Sequence, residues 1–136
     1  MKVNCGRTID DMQIGYVNIF VSNLESAITF YRNKLKLILE SASPDHGYAS
    51  FSGGTVRLGI AVPGEDHANL IGRHTGIGFR VRDLDSEFAR LSALGVHFTM
   101  PPTRQPWGGV MAMISDPDSN VFYLDQLPPT ESQPHD

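Results

Sequence analysis

The chain has 136 residues, the length of one ordinary domain, and with 40% of them hydrophobic it can bury a core. Its net charge of −4, on 19% charged residues, excludes the basic footprint of a nucleic-acid-binding surface. No apolar run approaches the roughly 18 residues of a membrane span, no apolar stretch follows Lys2 as in a signal peptide, and the lone Cys5 permits no internal disulfide. A cytoplasmic protein without membrane contact is the expectation.

In chain order, residues 1–12 read as an N-terminal arm, and the first strand runs through Tyr16-Val17-Asn18-Ile19-Phe20. Asn23 then N-caps a helix, because its side-chain oxygen accepts from the orphan N–H groups of the first turn. Glu25 adds negative charge at the positive end of the helix dipole. Leu24, Ala27, Ile28, Tyr31 and Leu35 form its apolar stripe. Strands are predicted at 37–41, 48–52 and 55–62, the last two joined by a tight Gly53-Gly54 turn. Residues 63–74, rich in Pro, Gly and charge, form a linker.

The pattern then repeats. Val21-Ser22-Asn23-Leu24-Glu25-Ser26 is matched by Val81-Arg82-Asp83-Leu84-Asp85-Ser86. Asp83 is the second N-cap, Leu84, Phe88, Leu91 and Leu94 the second stripe, and Gly95 its stop. Strands follow at 96–100, 110–115 and 121–126, with Asp116-Pro117-Asp118-Ser119-Asn120 as the final turn. The tail 128–136 holds no core residue and is expected to be disordered. The fold class is therefore α+β: two βαβββ modules, 13–62 and 75–127, in one domain spanning 13–127. Their curved mixed sheets pair around a central cleft.

Strand alternation assigns the faces. Val17, Ile19 and Val21 belong under the first helix, and Tyr16, Asn18 and Phe20 face the cleft. In the second module Ile77, Phe79 and Val81 lie under the helix, while Gly76, Gly78 and Arg80 face inward. The last strand separates Val121, Tyr123 and Asp125 from Phe122 and Leu124.

The opening segment Tyr16 to Tyr31, with its Phe30-Tyr31 pair, resembles the vicinal oxygen chelate superfamily of glyoxalase I, bleomycin-resistance proteins and extradiol dioxygenases. So does the closing hairpin, Gln105-Pro-Trp-Gly-Gly109 followed by Asp116-Pro-Asp-Ser-Asn-Val-Phe-Tyr-Leu124. In metal-dependent members, four inward positions supply His or Glu ligands. By this resemblance they fall here on Tyr16, Gly76, Tyr123 and a position near Leu58. None is a usual ligand of a divalent cation, so neither a metal nor another cofactor is expected. His74 is the best substitute, two residues before Gly76 and of the same strand parity. His46, His67, His97 and His135 read as surface or structural residues.

The predicted ligand-binding set is Tyr16, Asn18, Phe20, Phe51, Leu58, Arg80, Trp107, Met111, Met113 and Tyr123. Aromatic faces stack on planar ligands, methionine adapts to their edges, and arginine pairs with anionic oxygens. These residues and the resemblance together imply a metal-free protein that binds a small, partly aromatic or amphipathic molecule, and that assembles as a homodimer. The alternative is an enzyme of the same superfamily (a lyase, isomerase or dioxygenase), using a rearranged metal site or Tyr and Arg chemistry.

Overall fold

The computed structural model describes residues 12–126; the expectations for Cys5, His135 and the tail lie outside them. Two four-stranded sheets are present, ordered β1-β4-β3-β2 and β5-β8-β7-β6. Their strands are β1 (Tyr16–Phe20), β2 (Leu39–Ser43), β3 (Tyr48–Ser52), β4 (Arg57–Ala61), β5 (His74–Val81), β6 (His97–Arg104), β7 (Val110–Ser115) and β8 (Val121–Gln126). In each sheet the first strand pairs parallel with the last, β1 with β4 and β5 with β8, and the other ladders are antiparallel. Each module is thus β-α-β-β-β, with α1 (Leu24–Ile28) and α2 (Leu84–Ala93) as the crossovers.

The helix starts follow from their caps. Asn23 Oδ1 accepts from the Ser26 N–H at 2.9 Å, and Asp83 Oδ1 from the Ser86 N–H at 3.3 Å. The first helix does not continue as a regular α-helix. From Thr29 to Lys34 it is a π-helix, in which the Leu35 N–H donates to the Phe30 carbonyl at 3.1 Å. The wider turn brings consecutive side chains closer to one face, so Phe30 and Tyr31 are both buried, at 4% and 0% exposure. Leu24 and Leu35, expected in the stripe, only border the core.

Other boundaries moved for local reasons. Lys36, in the left-handed region (φ 65°), and the Leu37 N–H bond to Tyr31 O delay β2 to Leu39. The Gly53 N–H donates to Val56 O, so the β3–β4 turn consumes Thr55 and Val56. Strand β6 continues through Pro101 and Pro102 to Arg104, which an edge strand tolerates because its outer N–H groups have no ladder partner. The linker contains a 3-10 segment, Glu65–Leu70, and His74 already belongs to β5. Leu94, placed in the second stripe, is the C-cap of α2 and 43% exposed.

One core joins the modules. Ile19, Phe51 and Ile60 from the first sheet meet Ile114, Phe122 and Leu124 from the second, with Tyr31 between them. The Tyr31 ring lies 6.1 Å from Phe51 and 5.9 Å from Phe122. Both helices cover the same side of the sheets, and Arg90 of α2 donates to the Lys34 carbonyl at 2.9 Å. Edge strands β1 and β5 adjoin: Asn120 Nδ2 donates to Phe20 O at the end of β1, while Asn120 Oδ1 accepts from Gly72 and Arg73 just before β5. Among the described residues neither α1 nor α2 covers the opposite side of the sheets, and the candidate site lies there.

Candidate functional site

Register fixes what this helix-free face presents. In the first module, Asn18, Gly59, Ser50 and Ser41 form one row, and Phe20, Ala61, Tyr48 and Ser43 the next; Tyr16 aligns with Arg57. In the second, Gly78 aligns with Tyr123 and Met113, and Arg80 with Asp125 and Met111. Seven predicted residues therefore share this face: Tyr16, Asn18 and Phe20 with Arg80, Met111, Met113 and Tyr123. Arg80 is exposed and makes no ion pair with any described residue. It neighbours Asp125 in register without bonding to it.

Three predicted residues are elsewhere. Phe51 (0% exposed) and Leu58 (5%) are register partners on the helix-covered face, packed with Tyr31 and Ile60. The side facing the cleft in β3 and β4 is instead the small or polar set Tyr48, Ser50, Ser52, Arg57 and Gly59. Trp107 stands 71% exposed in the turn between β6 and β7, its ring against Gly109. That turn is closed by the Gln105 N–H to Gly109 O bond at 2.7 Å.

The four positions marked by the resemblance hold two phenols, Tyr16 and Tyr123, a glycine, Gly76, and at the β4 position Arg57 or Gly59 in place of buried Leu58. A guanidinium repels a cation, and neutral phenols are poor ligands. Among the described residues no group of three or more His, Cys, Asp or Glu side chains could hold a metal ion. His74 is occupied locally. Its Nδ1 accepts from the Gly76 N–H at 3.1 Å, and its ring tilts against Tyr123 at 4.8 Å. The cause is an irregularity in the β5–β8 ladder between His74 and Gly78, where Gly76 takes φ 73° and Thr75 Oγ1 bonds Val121 O. The residues do not fit the superfamily's metal.

One part of the site escaped the sequence reading. Tyr48 leans across β4 so that its hydroxyl approaches Asn18 Oδ1 at 3.5 Å, over Gly59. A Cβ on Gly59 would collide with both Asn18 Oδ1 and the Tyr48 hydroxyl. A glycine inside a strand is the available signal, since it marks close approach by another group. Where the sheets part, at the Gly53–Thr55 turn, a groove of about 720 Å³ opens. Leu35, Leu37, Phe79 and Leu124 line it with Glu87, Arg90 and Leu91 of α2, so it lies against the helix side of the sheets; Arg80 and Asp125 also border it.

The comparisons with known proteins agree with this architecture. Residues 13–124 match the model of the Glyoxalase/Bleomycin resistance protein/Dioxygenase superfamily. A solved member of that superfamily from Sphaerobacter thermophilus is 31% identical, with a TM-score of 0.74 over 86% of this chain and 98% of its own. TnmS3, an antibiotic binding protein from Streptomyces sp. CB03234, is 29% identical, with a TM-score of 0.70 over 89% of this chain and 100% of its own. The uncharacterized protein YraH of Bacillus subtilis is 24% identical over 124 residues, covering 83% of this chain and 97% of YraH.

Proposed function

Because the chain belongs to the Glyoxalase/Bleomycin resistance protein/Dioxygenase superfamily, we propose that it is a metal-free member that binds a small, partly aromatic or amphipathic molecule on the helix-free face of its sheets. One observation carries the reading: Arg80, without an ion-pair partner among the described residues, lies on the face that also bears Tyr16, Phe20, Tyr123, Met111 and Met113. Such a face supplies stacking and one anchoring charge, which is how small-molecule sites are usually composed. An antibiotic binding protein of 29% identity supports the same reading. Sequestration requires affinity only, so no acid, base or nucleophile is needed.

Equilibrium dialysis against fluorene-2-carboxylate, a planar aromatic anion, tests this. We expect saturable binding at one site per chain, weakened about tenfold in Arg80→Ala through loss of a charge-assisted hydrogen bond. Binding that never saturates, or that ignores Arg80→Ala, would refute the reading.

The working unit we propose is a cytoplasmic homodimer. Exposed Ile14 (76%), Ile38 (69%) and Trp107 (71%) offer apolar surface for a second copy. Sedimentation equilibrium is expected to return twice the 15.0 kDa chain mass.

A further inference from the structure

We infer that Asn18, Tyr48 and Ser50 form a neutral hydrogen-bonding subsite that takes a carbonyl oxygen of the bound molecule; this rests on the ligand-binding reading above. The starting point is Ser50. It is 2% exposed, and its hydroxyl has no hydrogen-bond partner among the described residues. Buried hydroxyls are ordinarily satisfied, so an orphan points to a missing partner. By strand alternation Ser50 points away from the core residues Ala49 and Phe51, towards the helix-free face, where it stands opposite Gly59.

Two further polar groups converge on the same glycine. The Tyr48 hydroxyl and the Asn18 carboxamide meet above it, at a separation of 3.5 Å that is the outer limit of a hydrogen bond. Asn18 Nδ2 has no bond to any described residue. The glycine makes room for both polar groups, because a Cβ there would collide with them. The subsite thus holds a phenol O–H, a carboxamide N–H₂ and a serine O–H, all able to donate and none charged. A carbonyl oxygen accepts two donors and needs no counter-charge, so it suits this set better than an anion does. The entering oxygen must displace the Tyr48 hydroxyl from above Gly59, which lets Ser50 donate as well. An anionic group belongs instead to Arg80 on the second module.

A matched pair of probes isolates the subsite: 9-fluorenone-2-carboxylate and fluorene-2-carboxylate share rings and charge and differ by one carbonyl oxygen. Equilibrium dialysis with the full chain should show the ketone binding about tenfold tighter, the worth of one net hydrogen bond. Tyr48→Phe and Ser50→Ala should each cut that ratio to about threefold or less. Ser50→Ala removes an unsatisfied group, so it should fold at least as well as the wild type. Equal binding of the two probes to the wild type, or an intact ratio in Ser50→Ala, overturns the subsite and leaves the ligand-binding reading standing. If neither probe binds, that reading fails and the subsite with it.

Discussion

Asp116 is a carboxylate at 5% exposure, and its neighbours are arranged to donate to it. Oδ1 accepts from the N–H groups of Asp118 (2.8 Å) and Asn120 (2.9 Å), and Oδ2 from the Tyr31 hydroxyl (2.6 Å) and Asn120 Nδ2 (3.0 Å). The Tyr31 phenol is pushed well above its ordinary range, first by burial and then by the Asp116 charge beside it. Tyr31→Phe keeps the ring but removes one charge-assisted bond, at a cost of about 2 kcal/mol in urea unfolding at neutral pH. The sign of the pH effect follows from the raised value. The contribution of Tyr31 is whole below about pH 10, where the unfolded phenol is still protonated, and declines as pH rises further. The alkaline fall in stability should therefore be shallower in Tyr31→Phe than in the wild type. The Phe30-Tyr31 pair and the Asp116–Asn120 turn were both legible in the sequence. Their bond was not, because it joins residues 85 positions apart.

At the scale of elements, the repeat located both modules and all eight strands, since it rests on local chemistry: caps, alternation and turn residues. What it misplaced depended on neighbours. The π-helical stretch arises because two consecutive aromatics are both drawn into one core, and no α-helical stripe encodes that. Phe51 and Leu58 were assigned to the cleft because apolar residues on a doubly flanked strand carry no label for which side the helix takes. The same locality makes the helix starts testable. Asp83 accepts from the Ser86 hydroxyl and N–H, which holds its carboxyl below the usual range, the hydroxyl being the larger cause. A depressed value means that the stabilisation is complete above the unfolded carboxylate's pKa, about 3.9, and is lost as pH falls through the folded one. Replacing Asp83 with Asn keeps the accepting oxygen but cannot titrate. Thermal unfolding of Asp83→Asn between pH 5 and 2, measured against wild type, should show a smaller acid-induced fall in midpoint.

At the scale of the molecule, the pseudo-repeat is asymmetric where the modules meet, and Asn120 is responsible. The second module's turn reaches over to the first: Asp118 accepts from the Ser22 N–H and hydroxyl, and Asn120 ties Phe20 O to Gly72 and Arg73. The corresponding turn of the first module, Gly53 to Val56, has little side chain with which to reach back, and there the groove beside Arg80 remains open. Asn120 is 1% exposed, and Asn120→Ala removes its bonds to Phe20, Gly72, Arg73 and Asp116 together, which should cost about 3 kcal/mol. Its effect on cooperativity separates two views of the fold. If the modules were independent and merely stapled by this turn, cutting the staple would split unfolding into two steps. The shared core around Tyr31, Phe51 and Phe122 argues otherwise, because neither sheet can shed its apolar face without exposing the other's. Asn120→Ala should therefore lower the urea midpoint with an unchanged slope, and Trp107 fluorescence and far-ultraviolet dichroism should trace one coincident transition.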